Sequence, residues 1–462
     1  MKTYWVYTSL IYSDSSPHTG HLYELVLANS LCEFIKTWHK SKLVVGTDDH
    51  GTKIRASSKA LKAKPTKMSN LNANKILAMC SKHKINVKDW ISTSWSKHIK
   101  STKHKIAQVK NHNMLRKLSY CGWYSPNLDC YHRPKEVKYC ANLMYCVNNA
   151  PTEWVEEQGY FVNFSKAKLK LVAIQRAKLI VGNNTRSLSL IKSTEDACIT
   201  RHDSTNYGIR ITTQASRFVL WVWIDALWAY VNNHRKNKIY VVGKDVANFF
   251  LTHFIVLSLC ASDKLAKAIL QHAHVRDNRA KLSKSLKNSL TAKPLPNYLL
   301  SYWFCSKSPR NDIKLNDSET EKTANELANN VGNLAKRITK LAAMRRPSLG
   351  RLTTNEWVVI AYLKQLANVL MHMIKGLEID KAIKTVLKNI ALINKLTSSY
   401  KLWNRSSGHK LFVYTFATKQ LVLWLKPIIG GKSNEILSNI TKTNFEYTPF
   451  PKPLTKTQLG SF

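Results

Sequence analysis

The stretch Tyr12-Ser-Asp-Ser-Ser-Pro-His18-Thr-Gly-His21 lies between two segments of different hydrophobic periodicity. Residues 4–11 before it, YWVYTSLI, form an apolar run rich in β-branched and aromatic side chains, which is typical of a buried strand. From Leu22 onward, apolar residues recur at helical spacing, at positions 22, 25, 26, 31, 34 and 35. The pattern therefore predicts a strand, a short loop and a helix.

Two histidines and a glycine lie in the predicted turn between this strand and helix. The first N–H groups of a helix and the positive end of its dipole attract phosphate. Gly20 lets a ligand approach the backbone closely, and His18 and His21 can donate hydrogen bonds to phosphoryl oxygens. Taken alone, the four residues H-x-G-H are equally consistent with a loop that carries two ordinary histidines.

A second motif follows another predicted strand far downstream. Residues 269–275, ILQHAHV, are typical of a strand, and Lys281-Leu-Ser283-Lys284-Ser follows in a basic loop. Two lysines spaced by three, with small hydroxyl residues, can hold a leaving pyrophosphate. The ordered pair H-x-G-H and K-x-S-K-S resembles the two nucleotide motifs of class I aminoacyl-tRNA synthetases.

The chain carries a large excess of positive charge. Lys and Arg number 71 against 28 Asp and Glu, so the formal net charge of the 462 residues is +43, and the excess is spread along the whole chain. This charge favours a polyanionic partner, most simply nucleic acid. A compositional drift toward lysine would produce the same excess without a functional cause.

The cysteine pattern indicates a reducing compartment. Nine cysteines are scattered without a C-x-x-C pair, and the spacing of positions 121, 130, 140 and 146 does not match a zinc knuckle. We therefore expect buried free thiols there and no bound metal. No run of about 18 uncharged apolar residues predicts a membrane span. A strand predicted from residue 4 leaves no room for a targeting segment, so we expect a cytoplasmic protein.

Two further segments are candidates for a binding pocket. A predicted strand from Lys42 ends at Asp48, which can hold an ammonium group, although Asp and Gly also form ordinary turns. In a doubly wound sheet, ligands lie at the carboxyl ends of the strands. Residues 218–230, FVLWVWIDALWAY, contain many aromatic side chains, which either line a pocket for an apolar ligand or simply pack in the core.

Changes in composition divide the chain into four predicted domains. Residues 1–118 and 166–292 contain the strand–turn–helix patterns and form two halves of a catalytic domain. Residues 119–165 contain short strand patterns, prolines and aromatic residues, and form a small insert. From residue 293 to 462, apolar residues recur at helical spacing. The predicted fold class is α/β: a Rossmann-type doubly wound parallel sheet with a β-rich insert, followed by an all-α bundle.

In order and over nearly the whole chain, these motifs resemble those of methionyl-tRNA synthetases. The matching pieces are YSDSSPHTGH, GTDDHGTKI, PTEWVEEQGYF, VWIDALWAY, VVGKD, KLSKSLKN and ELANNVGNLAKR. The PTEWVEE piece resembles the zinc-free form of the family's connective insert. The resemblance implies that methionine and ATP, accompanied by Mg²⁺, give methionyl-adenylate, and that the methionyl group then moves to the 3′ end of tRNA(Met).

The resemblance also implies roles for individual residues. Those implied for ATP binding are His18, Gly20, His21, Lys281, Ser283 and Lys284, and the two histidines and two lysines are also the catalytic groups. Those implied for methionine binding are Asp48, at the ammonium group, and Leu10, Tyr12, Trp223, Ala226 and Tyr230, around the thioether. Asn325 and Trp403 lie at or near the anticodon-reading positions, where a tryptophan stacks on a splayed base. Without the family, Trp403 would be interpreted as a core residue.

One departure from the family pattern bears on selectivity. Phe250 stands where a pocket histidine is expected after G-K-D, which removes a polar contact. From the resemblance as a whole we expect a monomeric methionyl-tRNA synthetase. Two alternatives stay open: a catalytically impaired tRNA-binding protein on the same fold, or a class I synthetase with relaxed selectivity for apolar amino acids. The intact H-x-G-H and K-x-S-K-S motifs favour an enzyme, because a pure binding protein needs neither.

Overall fold

Strands and helices alternate along the part of the chain that the computed structural model describes. That part comprises residues 1–125, 130–132, 134–140, 143–146, 150–164, 180–181, 196–202, 207–211, 218–231, 235–261, 266–276, 295–314, 317–345, 347, 352–403 and 408–442. Its strands are β1 (Thr3–Thr8), β2 (Ile11–Tyr12), β3 (Lys40–Asp48), β4 (Val87–Ser92), β5 (Leu115–Ser125), β6 (Cys130–His132), β7 (Val137–Cys140), β8 (Leu143–Cys146), β9 (Pro151–Val162), β10 (Ile180–Val181), β11 (Ala197–Cys198), β12 (Thr200–His202), β13 (Phe218–Leu220), β14 (Lys238–Gly243), β15 (Ala268–His272), β16 (Val275–Arg276) and β17 (Ile313–Lys314). Its helices are α1 (Thr19–Lys36), α2 (Thr52–Ala60), α3 (Pro65–Lys82), α4 (Ser96–Asn111), α5 (Val222–Val231), α6 (Lys244–Phe249), α7 (Ile255–Cys260), α8 (Asn297–Ser306), α9 (Asp317–Leu327), α10 (Asn333–Arg345), α11 (Thr354–Lys375), α12 (Ile379–Ser399), α13 (Gly408–Ile429) and α14 (Gly431–Lys442).

A parallel sheet forms the centre of the first half of the molecule. Its strand order is β10-β15-β14-β1-β3, and both β2 and β4 also pair with β3. Every residue of β14 is buried, because helices cover both faces of a parallel sheet. The predicted α/β fold with a doubly wound parallel sheet is confirmed. The carboxyl ends of β1, β3 and β14 meet at one edge of this sheet.

The predicted strand over residues 4–11 is wrong at its end, because β1 stops at Thr8. The backbone N–H of Ser9 donates to Glu24 Oε1 at 2.5 Å, and that of Leu10 donates to Tyr230 Oη at 2.7 Å. These two N–H groups bond to side chains instead of a neighbouring strand, so the chain leaves the sheet and rejoins it as β2. The strand predicted over residues 269–275 likewise divides into β15 and β16.

An antiparallel sheet of six strands lies beside the parallel sheet. Its order is β6-β5-β9-β8-β7, with β11 paired to β9, and β5 and β9 pair over almost their whole length. Cys121 in β5 is exposed, so the expectation of a buried thiol there is wrong. Within the described residues, no group of three His, Cys, Asp or Glu side chains is arranged to hold a metal ion. The side chains of the cysteines at 130, 140 and 146 lie outside the described part.

Helices α8–α14 form the predicted bundle. Their buried side chains recur at steps of three and four, as in Leu363, Leu366, Leu370 and Ile374 of α11. By length and composition alone, α11 is apolar enough to cross a membrane; here this leucine-rich stripe packs in the bundle core. The bundle packs against helix α1, since Tyr23 of α1 lies 5.1 Å from Phe304 of α8 between ring centroids.

Candidate active site

A cavity of about 250 Å³ opens where β1 and β3 end, beside helices α5 and α6. We call it the first cavity. It is lined by Ser9, Leu10, Tyr12, Asp48, Lys53, Val222, Trp223, Ala226, Leu227, Tyr230, Val246, Phe249 and Phe250. All six residues that the sequence resemblance implies for methionine binding therefore line one cavity. They come from strand ends and from one face of α5, which the tertiary structure brings together.

The wall on the α5 side of the first cavity is aromatic, and the hydroxyl of its tyrosine is hydrogen-bonded to the backbone. Tyr230 accepts a hydrogen bond from the Leu10 N–H and donates one to the Thr8 carbonyl at 3.2 Å. Its ring lies edge-on to Phe250, with centroids 5.4 Å apart, and Trp223 lies edge-on to Phe249 at 5.1 Å. Such a rigid apolar wall suits a flexible, polarisable side chain such as a thioether.

Asp48 is the carboxylate of this cavity. It is 8 % exposed, and Thr93 Oγ1 donates a long hydrogen bond of 3.4 Å to it. Burial raises the pKa of Asp48 well above its ordinary value, and the charges of Asp225 and Asp49 raise it further. A buried carboxyl group in this environment is stabilised in its charged form by a cation. The position therefore suits a ligand ammonium group.

Lys53 lines the same cavity, and the sequence reasoning assigned no role to it. It lies in the first turn of α2, which begins after Gly51, a residue with φ of +109°. The only sequence signal for it is its position in GTDDHGTKI, five residues after Asp48. A cavity lined by both a carboxylate and a lysine carries a group of opposite sign for each charge of an amino-acid zwitterion.

A second buried carboxylate, Asp225 of α5, lies next to this cavity but is fully paired. His50 Nδ1 lies 2.7 Å from Asp225 Oδ2, and His98 Nε2 lies 2.6 Å from Oδ1. Burial alone would raise the pKa of Asp225, but the charges and hydrogen bonds of His98 and His50 lower it to about 2. Burial also opposes the charged form of His50, yet the Asp225 carboxylate raises the pKa of His50.

The two histidines of H-x-G-H lie at the start of α1. His18 is the N-cap residue; its Nδ1 accepts from the Gly20 N–H at 3.0 Å, and His21 Nδ1 accepts from the His18 N–H at 3.3 Å. The rings stack with centroids 3.8 Å apart. Because Nδ1 is the acceptor in each ring, the neutral form carries its proton on Nε2, which is the donor. The motif therefore holds both rings in one tautomer and orientation.

His18, Gly20 and His21 line a second cavity of about 250 Å³. This second cavity also includes Glu24 and His272, whose carboxylate and imidazole lie 2.9 Å apart. It shares Ser9, Leu10, Tyr12 and Val246 with the first cavity. The two cavities are therefore neighbours that meet at the end of β1, as a site for two substrates requires.

Three predicted residues of the K-x-S-K-S motif, Lys281, Ser283 and Lys284, lie outside the described residues. Phe250, where a pocket histidine was expected, is 2 % exposed and stacks on Phe254 with centroids 4.6 Å apart. His253, one turn later, stacks on Phe249 at 4.0 Å. Burial lowers the pKa of His253 to about 4, so it is a neutral group behind the cavity wall.

The predicted anticodon residues lie in the helical bundle. Trp403 follows α12 and is 41 % exposed, so the structure does not bury it as a core residue. The Arg337 guanidinium lies 5.8 Å above its ring, and Arg337 donates to Ser398 Oγ at 2.7 Å. Asn325 lies half-buried in α9. Arg337 was missed from the sequence, although it belongs to the quoted ELANNVGNLAKR piece.

Comparison with known proteins gives the family and the fold. A family model described as tRNA synthetases class I (M) matches residues 4–150 and 141–339. The chain is 24% identical over 470 residues to the methionine–tRNA ligase of Rhizobium meliloti, covering 94% of this chain and 91% of that protein. It is 23% identical over 477 residues to the methionine–tRNA ligase of Brucella suis, covering 94% and 91%. Its fold is similar to that of Mycobacterium tuberculosis methionyl-tRNA synthetase in complex with methionyl-adenylate, with a TM-score of 0.85, 22% identity and coverage of 95% and 93%.

Proposed function

Because the chain belongs to the class I (M) family of tRNA synthetases, we propose that it activates methionine with ATP and transfers the methionyl group to the 3′ end of tRNA(Met). One observation carries the proposal. A cavity lined by Asp48, Lys53 and an aromatic wall adjoins a second cavity lined by His18 and His21. The names of the similar proteins from Rhizobium meliloti and Brucella suis support the same activity.

The activation step follows from the charges in the two cavities. Asp48 holds the methionine ammonium and Lys53 holds the carboxylate, so that a carboxylate oxygen faces the second cavity. That oxygen attacks the α-phosphorus of ATP, and the bond from the α-phosphorus to the leaving pyrophosphate breaks. Nε2–H groups of His18 and His21 stabilise negative charge on the phosphoryl oxygens. No covalent enzyme intermediate is formed.

Other residues bind the leaving group, the nucleotide and the anticodon. Lys281 and Lys284, with Ser283, hold the leaving pyrophosphate, and Gly20 gives ATP close access to the backbone. Mg²⁺ is bound to ATP as part of the substrate. In the bundle, Trp403 stacks on an anticodon base and Asn325 reads a base edge. The exposure of Trp403 beneath Arg337 supports the stacking role.

We propose that the domains divide at residues 118, 165 and 292, that the connective insert holds no zinc, and that the protein acts as a monomer in the cytoplasm. The scattered cysteines and their spacing support the reducing compartment and the zinc-free insert. The net charge of +43 supports binding of tRNA, with a steep dependence on salt.

A second candidate is a synthetase with relaxed selectivity for apolar amino acids. The observation that favours it is the buried Phe250, which presents a hydrocarbon surface to the first cavity. An apolar wall discriminates weakly between isosteric side chains, by roughly 10- to 200-fold per methylene. Norleucine, in which a methylene replaces the sulfur, is therefore the informative competitor.

Methionine-dependent ATP–pyrophosphate exchange without tRNA tests these proposals. We expect exchange with methionine, and weaker exchange with norleucine. Comparable exchange with several apolar amino acids would favour the relaxed enzyme. Folded protein that shows no exchange with any amino acid would refute both enzymes and favour a tRNA-binding protein on the same fold.

A further inference from the structure

The neighbouring strands β14 and β15 stop pairing just where they reach the second cavity. Their last paired residues are Gly243 and His272; one chain then enters helix α6, and the other continues to β16. Both continuations line the second cavity, the first through Asp245 and Val246 and the second through residues 273–275. The separation of these two walls is therefore set by contacts other than the pairing of β14 with β15.

Asp312 makes such contacts from outside the cavity. Its Oδ1 accepts a hydrogen bond from the His274 N–H at 3.0 Å and another from Lys244 Nζ, and its Oδ2 lies 2.6 Å from Arg276 Nε. Lys244 is the first residue of α6, whereas His274 and Arg276 belong to the other wall. One carboxylate thus joins both walls, and none of Asp312, Lys244 and Arg276 is among the described residues that line the second cavity.

Asp312 belongs to the segment that connects two helices of the bundle, α8 and α9. Backbone hydrogen bonds attach this segment to the cavity wall. The Ala273 N–H donates to the Pro309 carbonyl at 2.7 Å, and the Ile313 N–H donates to the His274 carbonyl at 2.8 Å. Strand β17, which follows Asp312, also pairs with β16. The position of Asp312 is therefore fixed by the backbone on either side of it.

The charge of Asp312 is needed for these contacts. Partial burial opposes the charge, but Lys244, the His274 N–H and Arg276 lower the pKa of Asp312 below its ordinary value, so the side chain is ionised at neutral pH. The side chains of Asp312 and Lys244 are 22% and 33% exposed, so water screens the pair only in part. Hydrogen bonds between charged groups are stronger than neutral ones. A neutral side chain of the same shape would therefore hold the two cations less firmly.

Building on the proposed function, in which the second cavity binds ATP, we propose that Asp312 is a positioning residue for ATP binding. It holds the start of α6 at a fixed separation from the segment that contains His274, so that the nucleotide meets both walls at once. His274 Nε2 lies 3.4 Å from Asp245 Oδ1, which is a measure of how closely the two walls approach each other. Asp312 touches neither ATP nor methionine, and its effect on the reaction passes through the two walls.

Asp312→Asn tests the proposal because it keeps the shape of the side chain and removes its charge. Methionine-dependent ATP–pyrophosphate exchange by the full-length protein gives kcat and the KM for each substrate. We expect the KM for ATP to rise about tenfold, because a displaced wall weakens every contact that it makes with the nucleotide. The KM for methionine and kcat should stay within about twofold of the wild-type values, because the first cavity is unchanged.

Glu319→Gln is the matched control. Glu319 of α9 accepts hydrogen bonds from Lys307 Nζ at 3.0 Å and from Lys322 Nζ at 3.4 Å, so it too is a carboxylate that ties the segment between α8 and α9. It is not among the described residues that line the second cavity. Loss of its charge should leave both KM values unchanged. Melting temperatures of the two variants show whether each one is folded.

Lys244→Met tests the same contact from its other side, and it keeps the proposal falsifiable if Asp312→Asn does not fold. It should also raise the KM for ATP and leave the KM for methionine unchanged. The double variant should have the KM for ATP of Asp312→Asn alone, because both changes break one contact. Additive losses would mean that Lys244 binds ATP directly, and would overturn the positioning role.

Three further results would overturn the proposal. They are an unchanged or lower KM for ATP in Asp312→Asn, equal rises in KM for ATP and methionine, and an equal loss in Glu319→Gln. The Kd for ATP without methionine, measured by equilibrium dialysis, separates this proposal from the proposed function. Absent exchange in the wild type would refute the proposed function, whereas an unchanged Kd for ATP in Asp312→Asn would refute the role of Asp312.

Discussion

Asp48 lines the first cavity and Asp225 lies next to it; both carboxylates are buried, yet their surroundings are opposite. Two histidines pair both oxygens of Asp225, and the pKa of Asp225 falls to about 2. Asp48 has a long hydrogen bond from Thr93, one from the His50 backbone and two acidic neighbours; burial and those acidic neighbours outweigh the hydrogen bonds and raise its pKa. A paired carboxylate stabilises the fold, whereas one surrounded by negative charge is stabilised when a ligand supplies a cation. The difference separates a structural acid from a substrate-binding acid among residues of the same type.

Asp48→Asn should give the largest effect. Loss of the charge that holds the substrate ammonium should lower kcat/KM for methionine in pyrophosphate exchange by about 100-fold or more. The melting temperature should stay the same or rise at neutral pH, because the folded state no longer contains an unfavourably placed carboxylate. Exchange kinetics and thermal unfolding together check this. Normal exchange would contradict the binding role of Asp48.

Asp225→Asn makes the same substitution in the paired carboxylate and, unlike Asp48→Asn, should lower the stability of the fold. It leaves His50 and His98 without a buried counter-charge, so unfolding should become easier by about 3 kcal/mol. Denaturant unfolding of both variants measures this. If Asp225→Asn unfolds like the wild type while Asp48→Asn is destabilised, the assignment of the two acids must be reversed.

The stability difference between wild type and Asp225→Asn should depend on pH. The lowered pKa of Asp225 contributes stability that is present above its ordinary value of 3.8 and is lost as pH falls toward about 2. The raised pKa of His50 contributes stability that is present below its ordinary value of 6.5 and is lost as pH rises through the folded value. The difference in unfolding free energy between wild type and variant should therefore be largest between about pH 4 and 6.5. There it should exceed its value in strongly acidic solution by roughly 2 kcal/mol. Melting curves from pH 2 to 9 check it, and a difference that is constant across this range would show that neither charge matters.

Lys53→Met should give the smallest effect, a weaker binding of methionine. It tests whether the ligand carboxylate is bound separately from the ammonium group that Asp48 holds. Loss of the cation should raise the Kd for methionine about tenfold, through its carboxylate. The Kd for methioninol, which keeps the amine but lacks the carboxylate, should not change. Lys59→Met, at an exposed position of the same helix, serves as the control. An equal loss for both ligands would assign Lys53 a general electrostatic effect instead.

Local patterns were sufficient for the main elements and for most of the site. The strand, turn and helix around His18 were predicted because each has its own periodicity. Asp48 was found because it follows a strand, and the carboxyl ends of neighbouring parallel strands meet at one edge. The end of β1 was predicted wrongly. The N–H groups of Ser9 and Leu10 bond to Glu24 and Tyr230, and the sequence around residues 9 and 10 does not reveal these distant partners.

By itself, the sequence predicted the fold class, the family and part of the lining of the first two cavities, because hydrophobic periodicity and closely spaced motifs are local properties of the chain. Only the tertiary structure decided which acid is paired, since Asp225 meets His50 and His98 across 175 and 127 residues of chain. It also decided that Arg201 lies on Trp221 and that Arg337 lies over Trp403. Such contacts depend on how whole elements pack, and no local pattern encodes the packing of elements that are distant along the chain.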